Sequence, residues 1–211
     1  MANMAALARP LSSFAPSLRN HDAVAELWAL PQGGIAEILG EASSGRTALM
    51  QRMLAAATLS GEIAAVIDCD DAFDPASARR AGADLGKLLW IRCGHRLENA
   101  LKATDLILHG GGFGLVILDL GDAPAAALDR IPRSYWYRFQ RAVEHTPSAL
   151  LILARESVAR SCAIRQLCLR QERLLWRGHA PFRTMDRLQL QATSKKPASG
   201  APVRLDVQAE K

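Results

Sequence analysis

Short apolar runs of strand type punctuate the chain at Ile35–Leu39, Ile63–Ile67, Leu88–Arg92, Leu115–Asp119 and Leu150–Leu153. Between them apolar positions recur at helical spacing over about Thr47–Leu59, Pro75–Ala81, Leu97–His109 and Pro132–His145. Strand and helix in alternation predict an α/β fold, a mostly parallel twisted sheet flanked by helices.

The two ends of the chain read differently. Residues 1–30 form a proline-punctuated lead with a short helix expected over Ala23–Leu30, and residues 31–211 are expected to make one domain whose last part, 161–211, is basic. Cys162–Trp176 admits a helix, because Ile164, Leu167, Cys168, Gln171, Leu174 and Leu175 share a helical face, or a strand of a hairpin. Asp186–Ala192 and Pro202–Gln208 read as paired strands around the Lys196-Pro197 and Ser199-Gly200 turn.

With 211 residues and 49% hydrophobic composition the chain can bury one good core. It has no apolar run long enough to span a bilayer, which points to a cytoplasmic protein with no membrane partner. Cys69, Cys93, Cys162 and Cys168 show no C-x-x-C spacing, so the reading is reduced, partly buried thiols. The five histidines are scattered, which argues against a histidine-based hydrolase or metal centre.

Charge changes the picture at one end. Residues 1–150 carry 14 basic and 16 acidic side chains, whereas residues 151–211 carry 12 and 5. Arginines recur from Arg155 and Arg160 to Arg187, a field that suits nucleic acid or an acidic protein, or else a solvated arginine-rich face.

The chemistry centres on Gly40–Thr47, Gly-Glu-Ala-Ser-Ser-Gly-Arg-Thr, between the first strand and the first helix. A phosphate-binding loop runs glycine, four free positions, glycine, lysine, then serine or threonine; backbone N–H groups and the following helix N-terminus hold the phosphates. Gly40, Gly45 and Thr47 keep that geometry available, with Ser43, Ser44, Arg46 and Ala48 as further candidate nucleotide-binding residues. Arg46 stands where lysine is usual, and a planar forked guanidinium is no equivalent of a compact ammonium.

From Gly33 to Leu120 the chain resembles the RecA family of recombinase ATPases. Gly33-Gly34-Ile35-Ala36-Glu37-Ile38 leads into the loop, Ser43-Ser44-Gly45 has the family's spelling, Ala65–Pro75 is similar to its strand and acidic turn, and Gly114–Asp119 to its later strand. The resemblance implies a RecA-like P-loop core with antiparallel strands at the C-terminal end, ATP and Mg2+ as cofactors, Thr47 and Asp119 toward the metal, and Asp74 near the adenine. It also exposes departures. Asp70 replaces the catalytic glutamate, Ser77 the aromatic that stacks on adenine, and Arg155-Glu156 the pair that senses the γ-phosphate. The loops at Leu120–Pro132 and after Leu153 are short. This pattern resembles the small, degenerate ImuA-type relatives that accompany damage-tolerance polymerases.

Arg133–Arg141 interleaves aromatic and basic residues on a helix. Tyr135, Phe139 and Ala142 are expected to pack inward, leaving Arg133, Tyr137 and Arg141 outward for a contact surface. The whole reads as a RecA-like accessory of DNA repair and SOS damage tolerance (translesion synthesis), with a degenerate ATP site and weak or no ATPase. Its contacts would be single-stranded DNA or a polymerase-side partner through Arg133, Tyr137, Arg141, Arg155 and Arg160, with self-association or a RecA contact as further partners. The alternative is an active ATPase dependent on single-stranded DNA.

Overall fold

The computed structural model of the protein describes residues 30–121, 123–179 and 182–208. The lead and its expected helix over Ala23–Leu30 fall, but for Leu30, outside the described residues. Strands β1 (Gly34–Leu39), β2 (Ala64–Asp68), β3 (Leu88–Arg92), β4 (Leu115–Asp119) and β5 (Ala149–Ala154) lie close to the expected runs. Helices α1 (Arg46–Leu59), α2 (Pro75–Arg80), α3 (Leu97–Gly110), α4 (Ala125–Leu128) and α5 (Arg133–Val143) separate them. Long strands β6 (Ala163–Arg177), β7 (Thr184–Lys196) and β8 (Ala198–Gln208) complete one sheet in the order β3-β2-β4-β5-β1-β6-β7-β8.

β1 lies between β5 and β6, parallel to both, and β7 and β8 are antiparallel additions. From β1 to β3 the chain moves one way across the sheet, and from β3 to β5 it returns. Right-handed crossovers then require α1 and α2 on one face and α3 and α5 on the other, as the two apolar clusters record. One joins Leu49, Met50 and Leu54 of α1 with Ala78 of α2; the other joins Leu101 of α3 with Trp136 and Phe139 of α5. β1, β2 and β5 are buried along their whole length, which explains their continuous apolar character.

The stretch that admitted helix or strand is β6. Leu167 and Leu169 are buried while Arg170 is exposed, and β1 and β7 take its backbone hydrogen bonds on either side. Shifts of register between Gln171 and Arg173 and between Leu175 and Trp176 break the alternation that would have marked it as a strand.

α5 turns a different face inward from the one expected. Trp136, Phe139 and Val143 are buried, whereas Tyr135 and Ala142 flank the cluster half-buried. Phe139 takes both aromatic neighbours edge-on, Tyr135 at 6.1 Å and Trp136 at 5.8 Å between ring centroids. Phe139 is fully buried, while the indole of Trp136 packs at the side facing residues 158–162. Tyr137, 52% exposed, remains outward with Arg133 and Arg141. Phe139→Ala should therefore cost about 3–5 kcal/mol in denaturant unfolding, and Tyr137→Ala less than about 0.5 kcal/mol.

Candidate functional site

β1, β2, β4 and β5 end in register, with Leu39 opposite Ala154, Asp68 opposite Asp119 and Asp119 opposite Leu153. The loops that follow them meet at one edge of the sheet, the usual place for a ligand in an open parallel sheet. Residues 40–45 form the first of these loops. Gly40 has φ 155, and a Cβ there would lie 2.6 Å from the Leu169 carbonyl oxygen; Gly45 has φ 90 and one there would overlap Leu190. Both glycines are thus required by backbone conformation and by the close approach of β6 and β7.

The loop opens directly into α1, whose N-terminus no side chain caps; Leu49 N–H makes the first bond, 3.0 Å to the Gly45 carbonyl. The N–H groups of the first turn lie outside the helix's own ladder. Ser44 Oγ is buried without a hydrogen-bond partner among the described residues. That hydroxyl faces Gly40 inside the loop, 2.5 Å from where a Cβ would stand, so it is the uncapped N–H donors of the helix that fit an oxyanion such as a phosphate. A cavity of about 180 Å3 lies in front, lined among others by Ser43, Arg46, Thr47, Asp68, Asp70 and Asp119. Drug-sized ligands occupy pockets of about 300–1,000 Å3, so this space suits phosphates without the base and sugar.

Arg46 does not point along the loop as a phosphate-reaching lysine would. It is 8% exposed, and its Nη2 donates to the Gly121 carbonyl at 3.1 Å. A methyl group on Gly121 would lie 2.9 Å and 3.2 Å from the two guanidinium nitrogens and 3.1 Å from Asp119 Oδ1. The guanidinium and the Asp119 carboxylate therefore converge on the turn after β4. Burial pushes the Asp119 carboxyl up to about 6; the Gly121 N–H, at 2.9 Å, and Arg46 pull it down, and Asp68 and Asp70 push it up.

Thr47 and Asp119 line the same cavity, as the resemblance implies for a metal site. With a fixed cation already beside Asp119, however, this arrangement does not fit a divalent ion. Among the described residues no three His, Cys, Asp or Glu side chains are grouped to hold one.

Asp70 reaches the cavity and lies 3.7 Å from His95 Nδ1. Asp74 does not line it: its carboxylate caps α2, accepting from the Ala76 and Ser77 N–H groups at 3.0 and 3.1 Å, and Arg80 lies 3.7 Å away. Those bonds, the Ser77 hydroxyl first, hold its carboxyl below the usual range. Burial pushes the Cys69 and Cys93 thiols up to about 12 and about 11, so neither is a thiolate at neutral pH.

Two buried acids escaped the sequence reading. Asp68 Oδ1 accepts from Ala72 N–H at 3.0 Å, and its Oδ2 from Phe73 N–H and Trp90 Nε1 at 2.9 and 3.1 Å, shaping the turn that carries Asp70. Glu37, 1% exposed, accepts from Ser157 Oγ, the Val158 and Ala159 N–H groups and Gln166 Nε2, all between 2.7 and 2.9 Å. It fixes the segment after β5. The signal for both was a lone acid within a strand buried on two faces, where a carboxylate persists only when fully bonded.

That segment brings Arg160 to the N-terminal end of α5. Arg133, Tyr137 and Arg160 line one cleft of about 130 Å3. A second, of about 720 Å3, lies beside it, rimmed by Arg96, Lys102 and Arg130 around Leu101 and Tyr135. Arg141 is exposed one turn beyond Tyr137, and Arg155 is exposed at the end of β5; neither lines these clefts. No helix among the described residues is long and apolar enough to cross a membrane.

A model of the RecA N-terminal domain family matches residues 12–130, more than half of the chain. Proteins named RecA from Chlorobium limicola and Leifsonia xyli are each 40% identical to it over 90 residues, and one from Rickettsia canadensis is 39% identical over 90 residues, in each case across 43% of this chain. The matched stretches are 25%, 25% and 26% of those proteins, so the chain spans about a quarter of the length of the curated relatives it matches.

Glu37→Gln should cost about 1–3 kcal/mol, because a buried amide cannot accept from every donor the carboxylate serves; amide hydrogen exchange at Val158 and Ala159 should speed up. Asp119 carries a pH dependence. Its folded-state value exceeds its unfolded one, so ionisation weakens the fold. Its contribution is favourable below about pH 4 and falls by about 3 kcal/mol as pH rises through about 6. Urea unfolding of wild type and Asp119→Asn across that range should differ by this slope.

Proposed function

The chain belongs to the RecA family, and on that premise we propose that it is an accessory of DNA repair whose loop binds phosphate without efficient turnover and whose basic clefts hold single-stranded DNA. The observation that carries the reading is the cleft lined together by Arg133, Tyr137 and Arg160. Cations that grip phosphates beside an exposed aromatic on which a base stacks are the elements of single-strand binding. Arg96, Lys102 and Arg130, against the single acid Glu98, line the larger cleft. Arg141 and Arg155, exposed nearby, belong to the same proposed surface.

The loss of catalytic parts supports a weak site. Arg46 is turned to Gly121, Asp70 is one methylene shorter than the glutamate it replaces, and Asp74 is engaged as a helix cap with Ser77. These departures, with the arginine-rich β6 and β7, favour a role of the ImuA type in SOS damage tolerance, where a translesion polymerase complex is the protein partner. Residues 1–30 are proposed as a lead to one RecA-like domain over 31–211. Working on DNA, it would act in the cytoplasm at the nucleoid, and self-association or a contact with RecA would be its other assembly modes.

A second reading is an ATPase dependent on single-stranded DNA. It is favoured by Thr47, Asp70 and Asp119 lining one cavity, and it requires the Arg46 guanidinium to leave Gly121 so that Mg2+ can serve as the cofactor. Steady ATP turnover that single strands stimulate and Asp119→Ala abolishes would decide for it.

For the DNA reading, affinity for a labelled single strand should fall steeply with salt. Arg133→Ala and Arg160→Ala should each reduce the slope of log K against log salt by about 1, and Tyr137→Ala should cost about 1–3 kcal/mol of binding. Affinities that ignore all three changes would overturn it.

A further inference from the structure

The cavity in front of the loop presents a mismatch: a cradle that fits an oxyanion, beside a carboxylate whose surroundings do not fit a divalent metal. Arg46 reconciles them. Its side chain is longer and more forked than the lysine it replaces, and it spans from the first residue of α1 to the turn after β4, with Nη2 on the Gly121 carbonyl. Both terminal nitrogens and Asp119 Oδ1 surround the open side of Gly121. A positive charge is thereby held beside Asp119, on the wall of the cavity in front of the loop. Glycine at 121 leaves the room for it.

The anion-binding parts are untouched by this rearrangement. The first turn of α1 is uncapped, and Ser43 and Thr47 on either side of its start line the cavity with Arg46. Phosphates in that cradle would lie next to the guanidinium, which is permanently charged and offers several N–H donors to phosphate oxygens.

We propose that Arg46 is a tethered replacement for the divalent cation, so that the loop binds the diphosphate of a nucleotide without metal. This rests on reading the loop as a phosphate cradle. It goes beyond that reading in making the chain its own counter-ion. A second, mobile cation at Asp119 would meet the guanidinium as a like charge. The same substitution that weakens turnover thus preserves binding, because a guanidinium neutralises phosphate charge but cannot shuttle between water and phosphate ligands as a hydrated metal does.

Titration calorimetry of ADP against the full-length chain, in Mg2+ and in excess EDTA, tests this with wild type, Arg46→Lys and Arg46→Ala, each checked for an unchanged melting curve. Wild type should bind ADP with a Kd that differs by less than about 2-fold between the two buffers. Arg46→Lys should require metal, weakening by about 10-fold or more in EDTA, and Arg46→Ala should bind weakly in EDTA. A wild type that loses ADP by about 10-fold on chelation overturns the proposal. So does a wild type that binds in neither buffer while Arg46→Lys binds with Mg2+, since Arg46 is then a plug in a working cradle. If no folded variant binds ADP in any buffer, the cradle reading itself fails, and this proposal with it.

Discussion

Two-sided burial of the central strands is the constraint on which the rest of the structure depends. β1, β2, β4 and β5 have no solvent face, so their interiors are apolar and every polar function is pushed to their carboxyl ends or must be internally bonded. Asp68 and Glu37 obey the second rule and Asp119, at the last position of β4, the first. Because these strands end in register, their terminal residues and following loops form one edge rather than several scattered sites. Glu37 adds a lateral tie, joining β1, β6 and the segment after β5, so the loop that carries Arg160 is built into the core.

The central half of the fold was legible because its signals are local. Uninterrupted apolar runs, helical spacing and punctuating glycines report directly on buried parallel strands and the helices between them. The C-terminal arm was less so. β6 is buried against β1 over its first part and then runs out beside β7 alone, and its bulges shift the apolar phase midway; a strand with changing environment has no single period. In α5 the amphipathic pattern is strong, but three adjacent aromatics at 135–137 let the buried stripe be centred on Tyr135 or on Trp136. Which of them enters the core was decided by how the helix seats against α3, β1 and the turn at 160–162.

The candidate site divides along the same line. The spelling of residues 40–47, the acid ending β4 and the shorter acid at 70 were all readable. The destination of the Arg46 guanidinium was not, since its partner lies 75 residues further along the chain and only the folded sheet makes them neighbours. Asp74 illustrates the converse: its role as a cap was readable locally, from an acid before a proline-led helix, whatever its place in the motif. Departures that look independent in sequence, at 46, 70 and 77, lie along the same edge of the fold, and each now has a bonded structural role or a shortened reach.

Asp68 links this edge to an optical property of the protein. Its carboxylate receives the Trp90 indole N–H at 3.1 Å as well as the backbone of the turn beside the cavity, and the indole lies 5.6 Å from the Phe73 ring with the Arg92 guanidinium 5.5 Å above it. Indole emission depends on such a hydrogen bond and on nearby charge. Trp90 is therefore a built-in reporter: any rearrangement of the turn between Asp70 and Phe73 displaces the acceptor it is bonded to and changes its emission, without a label attached to the protein.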